Sequence, residues 1–231
     1  MAYAPAAMDH ELLDPAGLST TDVYRLMTDL VAPRPIAWVS TQDAAGRRNL
    51  APFSYFQAVC SKPPMVMIAC AWRPDGTPKD TLRNILETGE FVVNHVARPL
   101  AEAMNATSAD YPREIDEWAA PETAAVASLT PVASSRVAPP RIGQVAAALE
   151  CRLSHAIPLG EGVAGRPSSS VVVGRVVAFQ LAPGLLRRDA RGRLQPIDPA
   201  ALDAVGRLGG IAYTDTHGRF ELARPKIGPD T

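Results

Sequence analysis

Lys79, Asp80 and Thr81 place a cation, an acid and a hydroxyl at the start of a predicted helix. The helix is predicted over 80–88, because its apolar residues share one face and Gly89 follows the last turn. A helix N-terminus attracts anions, since its first N–H groups lack partners within the helix. The tripeptide therefore indicates an anion site. The plainer alternative is a solvated lysine beside a helix cap, and we expect Asp80 to cap the helix rather than contact the anion.

The second group of chemically useful residues lies in the stretch RPIAWVSTQDAAGRRNLAPFS, from Arg34 to Ser54. Residues 35–41 are apolar and β-branched, residues 42–47 are polar with Gly46 free to take positive φ, and the chain returns from Asn49. This pattern predicts a hairpin. Pro52 has no N–H for a neighbouring strand, so we expect an edge or a bulge there, with backbone groups left free for a ligand.

The sequence lacks the residue sets that usually activate a nucleophile or hold a metal. The four histidines show no H-E-x-x-H spacing and no cysteine partner at metal-ligand distance: His10, His95, His155 and His217. There is also no G-x-S-x-G elbow and no Walker A lysine. We therefore predict no metal site and no catalytic side chain, and expect a bound cofactor to supply the reactivity.

Residues 160–165 spell G-x-G-x-x-G but do not indicate a dinucleotide-binding fold. That fingerprint must follow a strand and open a helix, whereas here Arg166-Pro167, three serines and a further strand follow. We interpret the segment as a flexible hairpin loop.

Composition excludes several classes of function. The chain has 231 residues and a net charge of −1, so it has no basic excess to hold a nucleic acid or an anionic membrane. No apolar run reaches the ~20 residues of a membrane span, and the N-terminus lacks the pattern of a signal peptide. Three widely spaced cysteines fit buried, reduced thiols. We expect a cytoplasmic protein.

The remaining elements predict a mainly β fold. Apolar runs predict strands at 65–71, 91–96, 149–157 and 170–181, and short helices are expected before Pro33, at 99–105 and at 199–208. Residues 106–140 form a long connection anchored by Trp118, and its length indicates that it has a function or lies over a partner. The order favours a six- or seven-stranded antiparallel barrel with peripheral helices, one domain over 1–231 with a loosely packed arm at 1–18 and a tail packed on the barrel.

Flavin mononucleotide (FMN) fits the predicted anion site and the strand edge with free backbone groups. Its phosphate needs a cation, hydroxyls and N–H donors, and its ring needs backbone groups and an open face for a hydride donor. Asn94, after the strand FVV, is an ordinary strand residue or a contact to the flavin, and Trp38 and Phe53 are core residues rather than stacking platforms. The candidate cofactor-binding residues are Ser40, Thr41, Asn49, Leu50, Ala51, Pro52, Phe53, Ser54, Lys79, Asp80, Thr81 and Asn94.

The ordered motifs RPIAWVST, NLAPFS, PKDTLRNI and TGEFVVN, with LARP at 222–225, resemble the flavin reductase-like family of FMN-binding split β-barrels, which includes flavoredoxin. The resemblance implies FMN bound by the Ser40-Thr41 strand end, the 49–54 strand and the 79–81 turn. It also implies a homodimer with flavin near the subunit interface, and a role for Arg224 in ordering the site.

The resemblance leaves the reaction open between two activities. The family holds NAD(P)H-dependent flavin reductases, some of which serve a partner monooxygenase, and proteins that keep FMN as an electron carrier. We expect an NAD(P)H:flavin oxidoreductase that takes electrons from NADH or NADPH. The alternatives are a flavoredoxin-like carrier and a non-enzymatic module that pairs with another protein through residues 106–140.

Overall fold

A computed structural model of the protein describes residues 7–119 and 124–225. The first six residues of the predicted arm and residues 120–123 of the long connection lie outside the described residues. The α-helices are α1 (Thr20–Leu30), α2 (Asp80–Thr88), α3 (Ala101–Ala106), α4 (Ala124–Ala127) and α5 (Pro199–Leu202). Short 3₁₀ helices span Pro15–Gly17, Arg98–Leu100, Glu117–Ala119 and Val163–Gly165. None of the described helices is long and apolar enough to cross a membrane.

The strands form one large sheet and two small ones. The strands are β1 (Arg34–Pro35), β2 (Ala37–Gln42), β3 (Arg48–Phe53), β4 (Phe56–Ser61), β5 (Pro64–Ala71), β6 (Glu90–Asn94), β7 (Pro131–Val132), β8 (Arg141–Ile142), β9 (Ala147–Leu159), β10 (Ser169–Leu181), β11 (Gly206–Arg207) and β12 (Tyr213–Thr214). The large sheet is antiparallel and has the order β3-β2-β6-β9-β10-β5-β4. Its edge strand β3 approaches β5, so the sheet curls towards closure. This confirms the predicted antiparallel split barrel of six or seven strands, with seven strands in the large sheet.

The predicted hairpin is confirmed as β2 and β3. Gly46 turns the chain with φ of +81°, in the left-handed region that glycine enters without cost. Pro52 lies opposite Trp38, and the β2–β3 register is regular from end to end. Pro52 therefore marks the edge of the sheet and not a bulge, because β3 has a strand neighbour on one side only.

The barrel interior is filled from both the sheet and α2. Val39, Phe91 and Ile68 are fully buried and pack with Leu82 and Ile85 of the helix. The Phe91 ring passes so close to β10 that a Cβ at residue 174 would lie 2.2 Å from its Cζ. Only glycine fits there, and the contact fixes β6 against β10.

The long connection covers the outer face of the barrel. Trp118, Val126 and Ile142 are buried in a second core cluster with Trp38, whose indole N–H donates to the Thr107 hydroxyl at 2.8 Å. These three apolar side chains are thus packed within the chain.

Three predictions about the periphery are corrected. The helix predicted at 199–208 ends at Leu202, because Asp203 adopts a left-handed conformation and the Val205 N–H donates to the Val96 carbonyl. The tail does not pack on the barrel throughout, since Phe220 and Leu222 are more than four-fifths exposed. Of the cysteines, Cys70 and Cys151 are buried as predicted, but Cys60 is exposed on β4.

The loop at 160–165 is confirmed as part of a hairpin. It joins β9 to β10, which pair antiparallel along their lengths. A 3₁₀ turn at Val163–Gly165 replaces the α-helix that a dinucleotide fingerprint would open.

Candidate functional site

A cleft lies between the outer edge of β3 and the N-terminus of α2. Its walls include Ala51, Pro52 and Phe53 on one side and Lys79 and Thr81 on the other. It holds about 460 Å³ of empty space, counted to its open mouth and including open solvent. The two sequence groups that predicted an anion site and a ring site therefore share one cavity.

A buried hydrogen-bond network joins the two walls at the floor of the cleft. The Asn49 carboxamide on β3 lies 2.9 Å from the Thr81 hydroxyl on α2. In the orientation that satisfies its neighbours, the amide nitrogen donates to Glu117 Oε1 at 3.0 Å. The Leu50 N–H also donates to Glu117, with an N–O distance of 3.3 Å. The network fixes the edge strand to the helix start and to the covering segment.

The direction of the Leu50 N–H explains why the edge strand tolerates a proline two residues later, at position 52. This N–H points away from β2, towards Glu117, and backbone direction repeats every second residue of a strand. Pro52 faces the same way but has no N–H. The cleft wall therefore carries the Pro52 carbonyl as an acceptor and no orphaned donor, which suits a ligand ring with its own N–H group.

Glu117 is a titratable group that sequence reasoning missed. Only 9% of the residue is exposed. Burial raises the pKa of its carboxyl to about 7, and the negative charges of Asp80 and Asp116 act in the same direction. Hydrogen bonds from the backbone, including the one from Leu50, lower the pKa by less. Glu117 thus holds a proton up to near-neutral pH.

Asp80 lies at the centre of a cluster of arginines. Its carboxylate accepts hydrogen bonds from Arg73 and from Arg113, the latter at 2.8 Å, and Arg83 lies 3.6 Å away. Burial opposes ionisation of Asp80, but the hydrogen bonds from Arg73 and Arg113 outweigh it and lower the pKa. The prediction that Asp80 caps α2 is wrong, since Lys79 occupies the N-cap and the Asp80 side chain is turned to the arginines.

Lys79 stands at the mouth of the cleft with a weak partner. Its ammonium lies 3.1 Å from Asp110, whose side chain is 83% exposed. Exposed pairs of this kind contribute between zero and ~1 kcal/mol. The lysine is therefore available to a stronger anion.

Four predicted residues are fully buried behind the cleft wall and do not line it: Ser40, Thr41, Leu50 and Asn94. The Ser40 hydroxyl donates to the Pro140 carbonyl and Thr41 accepts from Asn84. Asn94 donates to the Trp38 carbonyl and accepts from the Ile142 N–H. Their polar groups hold the sheet and the connection together and do not line the cleft, so their contact with a flavin stays a prediction.

Ser54 and Arg224 are also placed away from the cleft. The Ser54 hydroxyl faces Arg34, 3.5 Å from its Nε, and lines a neighbouring cavity. Arg224 is exposed in the tail and lines neither cavity. Phe53 is half-buried and lines the cleft, while Trp38 is the core residue that was predicted.

The residues that sequence reasoning missed come mainly from the segment after α3. Asp110, Arg113 and Glu117 all reach the cleft or its charge cluster from there. The available signal was the length of the connection and its acids and arginines in a stretch without apolar periodicity. No group of three metal-ligating side chains comes together within the described ranges.

The residues present fit FMN by their chemistry. A helix start, an ammonium and a hydroxyl lie on one wall of the cleft, and a proline-bearing strand edge forms the other wall. The sequence model described as "Flavin reductase like domain" matches residues 30–198. The chain belongs to the flavin reductase-like family. Family membership places it among the flavin-binding oxidoreductases.

Several similar proteins align with nearly the whole length of this chain. The protein BH2278 of Halalkalibacterium halodurans is 40% identical, covering 93% of this chain and 97% of its own. Nitrilotriacetate monooxygenase component B from Bacillus cereus is 33% identical, with a TM-score of 0.82 and coverage of 94% of this chain and 100% of its own. The 2-nitrobenzoate 2-nitroreductase NbaA of Pseudomonas fluorescens is 32% identical, with a TM-score of 0.76 and coverage of 95% and 98%.

The raised pKa of Glu117 predicts a pH-dependent stability. The folded protein binds this proton more tightly than the unfolded chain, whose carboxyl has the ordinary value of 4.5. The stabilisation is therefore complete below pH 4.5 and is lost as the pH rises through about 7. We expect the unfolding free energy of the FMN-free protein, minus that of Glu117→Gln, to fall by roughly 2–3 kcal/mol between about pH 5 and about pH 8.

Urea denaturation at several pH values measures this difference. Glu114→Gln is the matched control, because Glu114 is an exposed carboxylate of the same segment and should leave the pH profile unchanged. Parallel stability profiles for the wild type and Glu117→Gln would contradict the assignment.

Proposed function

We propose that the protein is an NAD(P)H-dependent flavin reductase that binds FMN in the cleft between β3 and α2. The observation that carries this proposal is the convergence of Pro52 on the strand edge and Thr81 on the helix start in one cavity. FMN, when bound, supplies a ring that accepts a hydride from the dihydronicotinamide of NADH or NADPH.

The chain's own residues provide binding and orientation. Lys79, Thr81 and the first N–H groups of α2 would hold the phosphate, with Asp110 giving up the lysine. Ala51, Pro52 and Phe53 would lie along the ring, and the Pro52 carbonyl would accept from it. Asn49 and Asp80 would support the site without contacting the phosphate. Asn49 fixes the position of Thr81, and Asp80 holds Arg73 and Arg113.

Hydride transfer between two stacked rings requires no side-chain base, which agrees with the residues of the cleft. Its titratable floor residue, Glu117, is hydrogen-bonded to Asn49 and Leu50 and so belongs to the scaffold of the wall. The covering segment and Phe53 narrow the cleft and limit water around the ring.

Partners and location are part of the same proposal. A partner monooxygenase that receives reduced flavin is suggested by the match to a protein named as a monooxygenase component. A homodimer is supported by exposed apolar side chains on α1, at Tyr24, Met27 and Leu30, which need a cover. A cytoplasmic location is supported by three free cysteines.

The activity is tested by mixing the purified protein with FMN and NADH or NADPH and following the absorbance of the reduced nicotinamide. We expect oxidation well above the protein-free rate with at least one donor. Tight FMN binding without any oxidation would favour the electron-carrier alternative. Failure to bind FMN even in excess would exclude both, and would favour the non-enzymatic module.

The phosphate assignment predicts that Lys79→Ala weakens FMN binding by ~1.5–3 kcal/mol, or about 10- to 150-fold, because a charge-assisted hydrogen bond is lost. Asp110→Asn should not weaken FMN, since it frees the lysine. Fluorescence titration of FMN measures both dissociation constants. If Lys79 only fastens the covering segment through Asp110, both variants will lose the same affinity and the assignment fails.

A further inference from the structure

Two arginines lie directly opposite each other in a small sheet beside the cleft. Arg34 of β1 pairs with Arg207 of β11 in an antiparallel register. Like charges at directly opposite positions destabilise a strand pair. A negative charge close to the two arginines would therefore stabilise this strand pair.

No carboxylate of the described residues compensates either arginine within 4.0 Å, the limit for an ion pair. Arg34 is 6% exposed and donates to backbone carbonyls, including those of Thr28 and Leu208. Arg207 donates to the Tyr213 hydroxyl and the Gly210 carbonyl. All of these acceptors are neutral. The partial negative charge at the carbonyl end of α1 offsets part of the Arg34 charge, but the two arginines together remain positively charged.

Both arginines line a second cavity that adjoins the cleft. This cavity has about 510 Å³ of empty space counted to its mouth and shares Pro52 and Ser108 with the cleft. Tyr24 and Tyr213 form aromatic walls, and the Arg207 guanidinium lies 4.6 Å from the centroid of the Tyr213 ring. A ligand held here reaches the wall against which the flavin ring is proposed to lie.

We propose that the second cavity binds the diphosphate of the nicotinamide dinucleotide donor, with Arg34 and Arg207 as its positioning cations. This inference rests on the proposed reductase function. Two guanidinium groups place two positive charges beside two neighbouring phosphates. Arg34 contributes its charge from the buried wall, because most of its donors are bonded to backbone carbonyls, and Arg207 is the more exposed of the two and would contact the oxyanion. The tyrosine walls suit the flat rings at either end of a dinucleotide. The shared Pro52 wall brings the dihydronicotinamide to the flavin.

Arg207 is the residue to test, because Arg34 also ties α1 to the sheet and its loss would disturb folding. Isothermal titration of FMN-loaded protein with ADP-ribose, the non-redox part of the donor, measures the site without turnover. We expect Arg207→Gln to weaken ADP-ribose about 10- to 100-fold while leaving FMN affinity unchanged. Arg175→Gln, which removes an exposed arginine of β10, is the charge-matched control and should leave both affinities unchanged.

Steady-state kinetics separates the diphosphate contact from a general effect on the site. Arg207→Gln should raise KM for NADH about 10- to 100-fold, and should leave kcat/KM unchanged for N-benzyl-dihydronicotinamide, a donor without phosphates. Unchanged ADP-ribose affinity, or an equal loss with both donors, would overturn the proposal. ADP-ribose binding that depends on Arg207 in a protein that oxidises no NADH would refute the reductase function and retain the site.

Discussion

The hydrogen bond between Asn49 and Thr81 is the interaction on which the site depends. It joins the outer strand of the barrel to the first turn of α2, two elements separated along the chain by the β4–β5 hairpin and a loop. Both residues are buried, so an unmatched amide or hydroxyl would carry a desolvation cost of ~1–3 kcal/mol. That cost fixes the distance between a wall suited to a flat ring and a helix start suited to an anion.

The charges around this bond leave Lys79 available to a ligand. Arg73 and Arg113 are held by ion pairs in a partly buried cluster, Arg73 with Asp80 and Arg113 with both Asp80 and Asp43. Lys79 is paired instead with an acid that is mostly in water, where the attraction is weak. An anionic ligand can therefore take over Lys79 at little cost. Glu117, protonated up to near-neutral pH, adds little negative charge to the floor of the cleft.

Local sequence signals were sufficient for the elements that form the two walls. The β2–β3 hairpin follows from an apolar, β-branched run, a polar turn with a glycine at positive φ and a proline at the edge, and α2 follows from its apolar face and its terminal Gly89. The partners of those elements could not be read in the same way. Glu117 and Arg113 reach the site from an aperiodic segment, where position depends on packing against Trp38 and not on local pattern.

The same limit explains the errors at the periphery. Asp203 ends α5 early because a long-range backbone hydrogen bond draws the following residue to Val96. Apolar residues in the tail, such as Phe220, predict a cover but do not specify whether the same chain or another one provides it. Ser40 and Asn94 carry the groups of a binding site, yet their burial commits them to the scaffold.

A crystal structure of the protein grown with FMN tests the central claim most directly. The account predicts the phosphate within hydrogen-bonding distance of Lys79 and Thr81, and the ring along the edge of β3 at Pro52. A flavin whose phosphate lies between Arg34 and Arg207, or one bound outside the cleft between β3 and α2, would contradict it.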